Sequence, residues 1–380
     1  MTALQKFYVP ALRMKAGEQM ALSHLASDVA DHVLPRMIVP PRAERDQTLE
    51  LDLMDGRSAV PNVAGALSAC WLGRSVFVEA THLLADFGRE TMGLWLPKMF
   101  ERTWRAGVPA VPLVQLRDLT ADTRDIYSQA CRESGTRLGI VASADELDER
   151  DALKILLEHL GAMGLSTANC SVIADFSGSD FSQPEIVAPI IAGTLQMLQE
   201  IGQWQHVIFQ GTNYPQFNPA AMNSNHIVLR NEWQAWRQAV KFDPLTSEYM
   251  MFGDYAADSA KMEFESAVVR AIRHYRYASS DAWIVQRGAA SGSDDAVMRT
   301  VCRELIDTPQ FAGRDFSWAD DYIFLSAHGQ AGPGNPRIWR AINTVHHITR
   351  VVADIGLVRG FQPQQRAAVP LLISNDLFSR

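Results

Sequence analysis

Three carboxylates stand at or near the ends of short apolar runs, where acid–base or metal chemistry could be placed. Glu79 lies in the run VFVEAT, Asp175 in CSVIADF and Asp254 in YMMFGDY. Converging carboxylates can bind a divalent cation through oxygen ligands, or divide into a general acid and a general base. A buried charge needs a partner, so Glu79 and Asp254 indicate a site or an ion pair. Asp175 has a second interpretation, as the N-cap of the following helix.

Other polar side chains follow the same kind of run and could hold a substrate. Lys15 and Arg117 could bind an anionic group such as a phosphate, because both side chains donate charge-assisted hydrogen bonds. The amides of Gln115 and Gln210 and the phenol of Tyr255 could orient the rest of a ligand. Together with the carboxylates, these residues predict a polar ring at one end of the fold.

The elements that must position this ring are short buried strands alternating with helices. We predict eight strands, at residues 8–12, 34–41, 76–81, 110–116, 137–143, 170–176, 206–212 and 249–255. Strands joined by helices predict a parallel sheet, and eight such units predict a closed (β/α)8 TIM-like barrel over residues 1–257. Sites of such barrels lie at the C-terminal ends of the strands. The alternative is an open doubly wound sheet, but LRMKAGEQ after the first strand lacks its glycine-rich fingerprint.

The strand–helix rhythm changes after residue 257, and we predict that residues 258–380 form an α+β elaboration packed on the barrel. Its predicted elements are a helix over 259–274, a hairpin over 275–288, a helix over about 293–307, a short strand from residue 321 and a helix over about 336–355. These segments mix aromatic residues with Arg and His, as expected where one side packs and the other meets a polar cavity. We therefore predict that Arg276, Arg287 or His346 reaches the pocket.

Charge and composition restrict the classes of partner. The chain has 380 residues and a formal net charge of −8, without a basic stripe, so nonspecific nucleic-acid binding is not expected. No apolar run reaches the roughly 18 residues of a membrane helix. The N-terminus lacks the pattern of a signal peptide, and the four cysteines are scattered as reduced thiols are. We predict a cytoplasmic protein that does not associate with membranes.

The adjacent pair His346-His347 does not indicate a metal site. Neighbouring residues on a helix point about 100° apart, so both cannot easily face one ion. One of the two is expected to pack inward and the other to meet solvent or the barrel mouth. The sequence thus identifies no metal ligands, and a divalent cation held by the strand-end carboxylates stays an alternative.

Several short motifs occur in a characteristic order along the chain. Tyr8-Val9-Pro10 is followed by Lys15-x-Gly17-Glu18. The further motifs are Arg230-x-Glu232-x-x-x-Trp236, Phe252-Gly253-Asp254-Tyr255, Arg276-Tyr277, Trp283, Arg287-Gly288, Gly334-Asn335, Trp339 and His346-His347-Ile348-Thr349. Together they resemble the bacterial and prophage "beta family protein" group over nearly the whole chain. The resemblance implies a shared architecture and a prophage or antiphage-defence context; the group has no assigned activity, so it implies no reaction.

Two functions from different classes are consistent with these patterns. The first is a hydrolase or lyase acting on a phosphorylated or nucleotide-like small molecule at the C-terminal barrel mouth. The second is a non-catalytic binding module that recognises a phage component or a partner protein, with the polar ring in a structural role. The fold does not decide between them, because barrels host many reactions. Carboxylates that converge around an open pocket would favour the enzyme, and carboxylates dispersed into ion pairs would favour binding.

Overall fold

The computed structural model describes residues 6–44, 50–52, 59–133, 135, 137–242, 250–260 and 273–360. The strands in chain order are β1 (Tyr8–Arg13), β2 (Arg36–Ile38), β3 (Glu50–Asp52), β4 (Ala59–Pro61), β5 (Val76–Glu79), β6 (Ala110–Gln115), β7 (Leu138–Ser143), β8 (Cys170–Asp175), β9 (His206–Gln210), β10 (Ser224–Leu229), β11 (Met250–Asp254), β12 (His274–Ala278) and β13 (Ala282–Arg287). The α-helices are α1 (Ala16–His24), α2 (Ser27–Ala30), α3 (Val63–Cys70), α4 (Thr81–Phe87), α5 (Met92–Arg105), α6 (Ala121–Glu133), α7 (Ala144–Asp148), α8 (Arg150–Ala162), α9 (Pro184–Glu200), α10 (Asn231–Phe242), α11 (Asp294–Ile306), α12 (Trp318–Ala327) and α13 (Pro336–Arg359). None of these described helices is long and apolar enough to cross a membrane.

Eight strands close a barrel in the order β1-β11-β9-β8-β7-β6-β5-β2, and every neighbouring pair is parallel. β1 closes it, because Tyr8 pairs with Phe252 of β11 on one side and Ala11 pairs with Arg36 of β2 on the other. All eight predicted barrel strands are present, with ends that differ by a few residues. The predicted (β/α)8 barrel is confirmed, and the open sheet is excluded.

The alternation of side chains along each strand decides what fills the barrel. The interior holds Val9, Leu34, Phe77, Val111, Leu113, Val141, Ile173, Ile208 and Met251. The residues between them point outward and pack against the helices. Five polar residues each lie two positions after one of these interior residues. Arg36, Glu79, Gln115, Asp175 and Gln210 follow Leu34, Phe77, Leu113, Ile173 and Ile208, in that order. The period of two therefore turns these five polar side chains into the barrel at its C-terminal end.

The region after the barrel packs directly on it. Its strands β12 and β13 form an antiparallel sheet with β10, which precedes the last barrel strand in the chain, in the order β10-β13-β12. Ile348, Val351, Val352 and Ile355 of α13 belong to the same buried cluster as the outward side chains of the barrel strands. The α+β elaboration packed on the barrel is confirmed over residues 273–360, but β10, which lies inside the range predicted for the barrel, also belongs to it.

Two elements differ from what the local pattern predicts. The apolar spacing over residues 227–240 predicts one helix, but Ser224–Leu229 is a strand paired with β13, and the helix begins at Asn231. The strand expected from residue 321 is part of helix α12, whose first turn is capped by the Ser317 side chain. A short apolar run fits a strand or a buried helix equally well, and its tertiary neighbours decide between them. The helix predicted over 259–274 lies almost entirely outside the described residues.

Gly17 lies where α1 crosses α13 at close range. A Cβ atom at this position would lie 2.7 Å from Cγ of Arg340 and 3.1 Å from the carbonyl oxygen of Arg337. Alanine normally stabilises a helix interior relative to glycine by roughly 0.5–1 kcal/mol. Here it would push apart two packed helices, because the nearest atoms belong to the backbone and to the root of a side chain.

We expect Gly17→Ala to lower the free energy of unfolding by about 1–2 kcal/mol, measured by urea denaturation. Gly161→Ala is the matched control, because Gly161 is an exposed residue of α8 with open space around its Cα. That control should be neutral or stabilising. A Gly17→Ala protein as stable as the wild type would show that the crossing tolerates a side chain.

Candidate functional site

A layer of polar side chains closes the C-terminal end of the barrel interior, with Arg36 in its middle. Arg36 is 3% exposed. Its Nε donates to Oε2 of Glu79 at 2.8 Å, and its Nη1 donates to Oε1 of Gln210 at 3.4 Å. The same Nη1 lies 3.7 Å from Oδ2 of Asp175. One buried guanidinium thus joins two of the three carboxylates that the sequence singled out.

Glu79 is held as the ionised partner of Arg36. Its Oε1 accepts hydrogen bonds from Nε2 of Gln115 at 2.6 Å and from the hydroxyl of Thr81 at 3.1 Å. Burial raises the pKa of Glu79, but Arg36 and these hydrogen bonds outweigh burial, and the net pKa is lowered. A carboxylate with a lowered pKa is a poor general acid near neutral pH.

Asp175 and Tyr255 form the other side of the layer. The Tyr255 hydroxyl donates to Oδ2 of Asp175 at 3.2 Å, and Oδ1 of Asp175 accepts from the amide of Ser177 at 2.9 Å. Asp175 therefore stabilises a turn and is not an N-cap, since the next helix starts at Pro184. Burial, reinforced by Asp175, raises the pKa of Tyr255, so the phenol stays protonated.

The three carboxylates do not converge on a metal site. Glu79 and Asp175 both face the Arg36 guanidinium. The side chain of Asp254 points out of the barrel, because it lies three positions after the inward-facing Met251 on β11. Within the described part of the chain, no group of three or more His, Cys, Asp or Glu side chains could hold a metal ion. The cation that balances Glu79 and Asp175 is an arginine of the protein itself.

Asp254 lies between the barrel wall and α13 in a buried chain of hydrogen bonds. Its Oδ1 accepts from the Tyr8 hydroxyl at 2.6 Å and from the amide of Ala256 at 2.9 Å. Nε2 of His347 lies 2.7 Å from Oδ2 of Asp254, and Nε1 of Trp283 lies 3.2 Å from Nδ1 of His347. The indole N–H can only donate, so Nδ1 of His347 accepts and the proton sits on Nε2, facing Asp254.

This arrangement fixes the charge of both partners. Burial lowers the pKa of His347, and the neutral ring agrees with its acceptor role toward Trp283. Burial raises the pKa of Asp254, but the interactions with His347, Tyr8 and the Ala256 amide outweigh it, and the net pKa is lowered. Asp254 is therefore an ionised acceptor that ties α13 to the barrel.

A buried ion pair and a buried carboxyl group lie near these hydrogen bonds. Nη1 of Arg230 donates to Oδ2 of Asp354 at 2.9 Å, and Oε2 of Glu232 accepts from the amide of Asn213 at 3.1 Å. Burial raises the pKa of Glu232 to about 8, and the neighbouring Asp254 charge adds to the rise while Arg230 opposes it. Glu232 is thus mostly protonated at neutral pH, in a position with no exposed surface.

A third group of charges stands at the rim of the barrel mouth, around Asp258. Its Oδ1 lies 2.9 Å from Nη1 of Arg276, and its Oδ2 lies 2.8 Å from Nη1 of Arg340. Nη2 of Arg13 lies 3.6 Å from the same Oδ2. Burial raises the pKa of Asp258, but the three arginines outweigh it, and the net pKa is lowered. We call Asp258, Arg13, Arg276 and Arg340 the rim cluster.

A small cavity, partly open to solvent, adjoins the rim cluster. Its polar walls are Arg13, Glu18, Tyr255, Asp258, Arg340 and Thr344. Glu18 is 4% exposed, and its Oε1 lies 3.6 Å from Nε of Arg340. Burial raises the pKa of Glu18, which favours its uncharged form. The three arginines of the rim cluster outnumber Asp258 and Glu18, so this part of the mouth carries net positive charge in either state of Glu18.

Three residues predicted to bind substrate lie elsewhere. Lys15 forms an ion pair with Glu44, Arg117 is exposed, and Nη1 of Arg287 donates to the carbonyl oxygen of Ala220 at 2.8 Å. None of them lines the cavity beside the rim cluster.

His346 lies inside the elaboration and not at the barrel mouth. Its Nδ1 is 3.1 Å from Oδ2 of Asp320, and its Nε2 is 2.8 Å from the carbonyl oxygen of Ala278. Both neighbours are hydrogen-bond acceptors, so the ring is held from both sides inside the elaboration. The expectation that one of the two adjacent histidines meets solvent or the mouth is wrong, because His346 and His347 are both buried.

Comparison with known families identifies the chain. The family model described as Beta protein matches residues 8–353. The chain belongs to the Beta protein family. The match confirms the resemblance drawn from the order of short motifs. No curated protein matches the sequence.

The solved structures similar to this Beta protein family member are distant. Triosephosphate isomerase from Bartonella henselae is 14% identical, with a TM-score of 0.31, and the match covers 66% of this chain and 92% of that one. The carboxyl transferase domain of Rhizobium etli pyruvate carboxylase with pyruvate and biocytin is 11% identical, with a TM-score of 0.36. That match covers 97% of this chain and 50% of the other.

Several motif residues of this Beta protein family member meet in space. Tyr8, Asp254, Trp283 and His347 form the hydrogen-bonded chain described above. Trp236 donates to the sulfur of Met250 on the neighbouring strand end. The motif residues that carry the resemblance therefore lie at the contact between the barrel and α13 more than at the barrel mouth.

Sequence reasoning missed Arg36 and most of the rim cluster of this Beta protein family member. Arg36 carried a signal, because it stands inside the apolar run LPRMIVPP, as Glu79 stands inside VFVEAT. Asp258 carried none. Its partners Arg276 and Arg340 lie 18 and 82 residues away, so only the folded chain brings them together.

Proposed function

We propose that this protein binds a small anionic ligand at the C-terminal mouth of its barrel, through the rim cluster. The observation that supports this best is the convergence of Arg13, Arg276 and Arg340 on one carboxylate beside a cavity. Guanidinium groups match phosphate and carboxylate oxygens with paired hydrogen bonds.

The charge balance of the cavity favours an anion. The three arginines contribute three positive charges, and Asp258 contributes one negative charge. Glu18 is the other carboxylate of the cavity wall, and burial favours its uncharged form. The rim cluster and Glu18 together therefore carry a net positive charge, although the whole chain has a formal net charge of −8. A local field of this kind attracts anions whatever the net charge of the protein.

A buried hydroxyl near the rim cluster has no described hydrogen-bond partner. Tyr214 is 4% exposed, and its hydroxyl has no hydrogen-bond partner among the described residues. The guanidinium of Arg276 lies 4.8 Å from the centre of the Tyr214 ring, which fixes the ring beside the rim cluster. Buried hydroxyls normally have a partner, so a ligand oxygen or a water would satisfy Tyr214.

The hydrolase or lyase hypothesis finds less support. Glu79, Asp175 and Asp254 each have partners within the protein, and the pKa of Glu79 and that of Asp254 are lowered. Catalysis on a phosphorylated or nucleotide-like substrate would require Asp175 or Glu79 to exchange Arg36 for the substrate. We therefore propose binding as the function. The prophage or antiphage-defence context and a phage-component or protein partner stay implications of the resemblance.

Isothermal titration with inorganic phosphate, pyrophosphate and ADP tests the proposal. We expect at least one of these anions to bind the wild-type protein, and Arg340→Gln to weaken that binding by about 10- to 100-fold, the loss of one charge-assisted contact. Arg340→Gln leaves Asp258 paired with Arg276, so the variant is expected to stay folded.

Arg337→Gln is the matched control, because Arg337 is an exposed residue one turn earlier on α13. It should bind the anion like the wild type. Equal losses of anion binding in both variants would mean that the anion responds to the overall charge of the surface and makes no direct contact with Arg340. Wild-type protein that binds none of the three anions would refute the proposed function.

A further inference from the structure

Strand β10 forms the outer edge of the three-stranded sheet of the elaboration. The sheet order is β10-β13-β12, and β10 pairs with β13 without interruption from Ser224 to Leu229. Ile227 and Leu229 are 58% and 52% exposed. In the segment just before the strand, Phe217 and Met222 are 75% and 60% exposed. Exposed large apolar side chains on a sheet edge mark an interaction surface.

The hydrogen bonds of the sheet show which backbone groups of β10 face outward. Gly288 donates to Arg273, so the even-numbered residues of β13 bond to β12. The odd-numbered residues of β13 therefore bond to β10. Their partners are the even-numbered residues of β10, whose backbone groups point toward β13. The amide of Arg230 donates to Asp281 in the same alternation.

The outward N–H and C=O groups of β10 consequently belong to Asn225, Ile227 and Leu229. The carbonyl oxygen of Leu229 accepts from Nδ2 of Asn213, as an outward group can. No described residue bonds to the outward groups of Asn225 or Ile227. The side chains of these three residues share one face of the sheet, since direction and face alternate together along a strand.

The edge lacks the features that keep sheets from pairing. The strand reads SNHIVL, with no lysine, proline or acidic residue, and its register contains no bulge. Natural edge strands that stay unpaired usually carry at least one of these.

We propose that β10 pairs with β10 of a second copy of this chain, antiparallel about a two-fold axis at Ile227. A two-fold axis perpendicular to the sheet pairs residues of the same face, so Ile227 opposes Ile227 and Asn225 opposes Leu229. In this register the outward groups of the two Ile227 residues pair with each other, and each Leu229 amide faces an Asn225 carbonyl oxygen, while the Leu229 carbonyl oxygen keeps its hydrogen bond from Asn213. The result is a continuous six-stranded sheet.

The second copy fits this edge because the edge is complementary to itself. Ile227 of each copy exchanges both of its backbone hydrogen bonds with the other, and each Leu229 amide finds the Asn225 carbonyl oxygen. The exposed Ile227 side chains then pack on each other across the axis. Such an isologous contact closes after two copies, so it produces a dimer and not a filament.

Sedimentation velocity across a concentration series tests the proposal. We expect wild-type protein to form a species of about twice the 42.2 kDa chain mass. Ile227→Lys and Ile227→Glu should each weaken dimerisation by about 100-fold, because like charges would face each other at the axis. An equimolar mixture of the two variants should recover the dimer, because Lys then opposes Glu.

His226→Lys is the matched control. His226 is exposed on the opposite face of the same strand, and its backbone groups face β13. It should dimerise like the wild type. A monomeric wild type, a dimer that survives in Ile227→Lys, or a mixture that stays monomeric would each overturn the proposal. The first result would leave the edge to a different partner, and the last would reject the register about Ile227.

Discussion

Replacing Arg36 by methionine is expected to lower the free energy of unfolding by about 3–5 kcal/mol. The change removes the only guanidinium that contacts both Glu79 and Asp175 among the described residues, and it leaves Glu79 charged and 4% exposed. Breaking a buried pair from one side costs more than removing both partners. Arg36→Met combined with Glu79→Gln should therefore recover a large part of the loss, as measured by urea denaturation.

The cost of Arg36→Met should depend on pH. In the wild type the pKa of Glu79 is lowered, so the ion pair stabilises the fold fully above the ordinary carboxyl pKa of about 4.3. This contribution is lost as the pH falls through the lowered value. In the variant, burial without a cation raises the pKa of Glu79, so protonation relieves the buried charge. The difference between the two proteins should therefore shrink between about pH 7.5 and about pH 5.

Arg74→Met provides the control for this experiment. Arg74 pairs with Asp31 at a partly exposed position, and such pairs contribute about 0–1 kcal/mol. A loss for Arg36→Met no larger than that of the control, or one that stays constant with pH, would mean that Glu79 is not held by Arg36 as described.

Asp254→Asn is expected to lower the free energy of unfolding by about 2–4 kcal/mol, although it changes few atoms. The Asn oxygen could keep the hydrogen bonds from Tyr8 and Ala256, but its NH₂ group would face the Nε2–H of His347. His347 cannot move its proton to Nδ1 without facing the N–H of Trp283. Two donors would therefore oppose each other in a buried site, and α13 would loosen from the barrel.

A double-mutant cycle tests this mechanism. Trp283→Phe removes the indole donor and allows the proton of His347 to move to Nδ1, so Nε2 could accept from Asn. The double variant should be more stable than the sum of the single losses predicts, by about 1 kcal/mol. Asp281→Asn is the control, because the Asp281 side chain is 58% exposed. It should change the free energy of unfolding by less than about 0.5 kcal/mol. Strictly additive losses would show that Trp283 does not fix the His347 tautomer.

The strands were predictable because their signal is local. Each barrel strand is a short run that is apolar on both faces, and at least one helix lies between it and the next barrel strand along the chain. The prediction failed where one run fitted two structures. The chain around residues 224–229 becomes a strand because β13 lies beside it, and the chain from residue 321 becomes helical because Ser317 caps it.

The site was predictable only as a set of residues near one end of the barrel. The period of two along β5, β6, β8 and β9 places Glu79, Gln115, Asp175 and Gln210 in the barrel mouth, and a reader of the sequence can count it. The same period turns Asp254 out of the barrel, although its position at a strand end predicted it at the mouth. Closure of the barrel then determined which of these side chains meet Arg36.

The sequence by itself determined the eight parallel strands, the end of the barrel at which their C-termini lie, and the family. Those properties follow from apolar spacing within a few residues and from the order of short motifs. Only the tertiary structure decided the partners of the charges. Tyr8 and Asp254 are 246 residues apart, and Arg36 and Glu79 are 43 apart. No local pattern joins residues at such distances, because ion pairs and hydrogen bonds depend on the three-dimensional packing that brings distant strands and helices together.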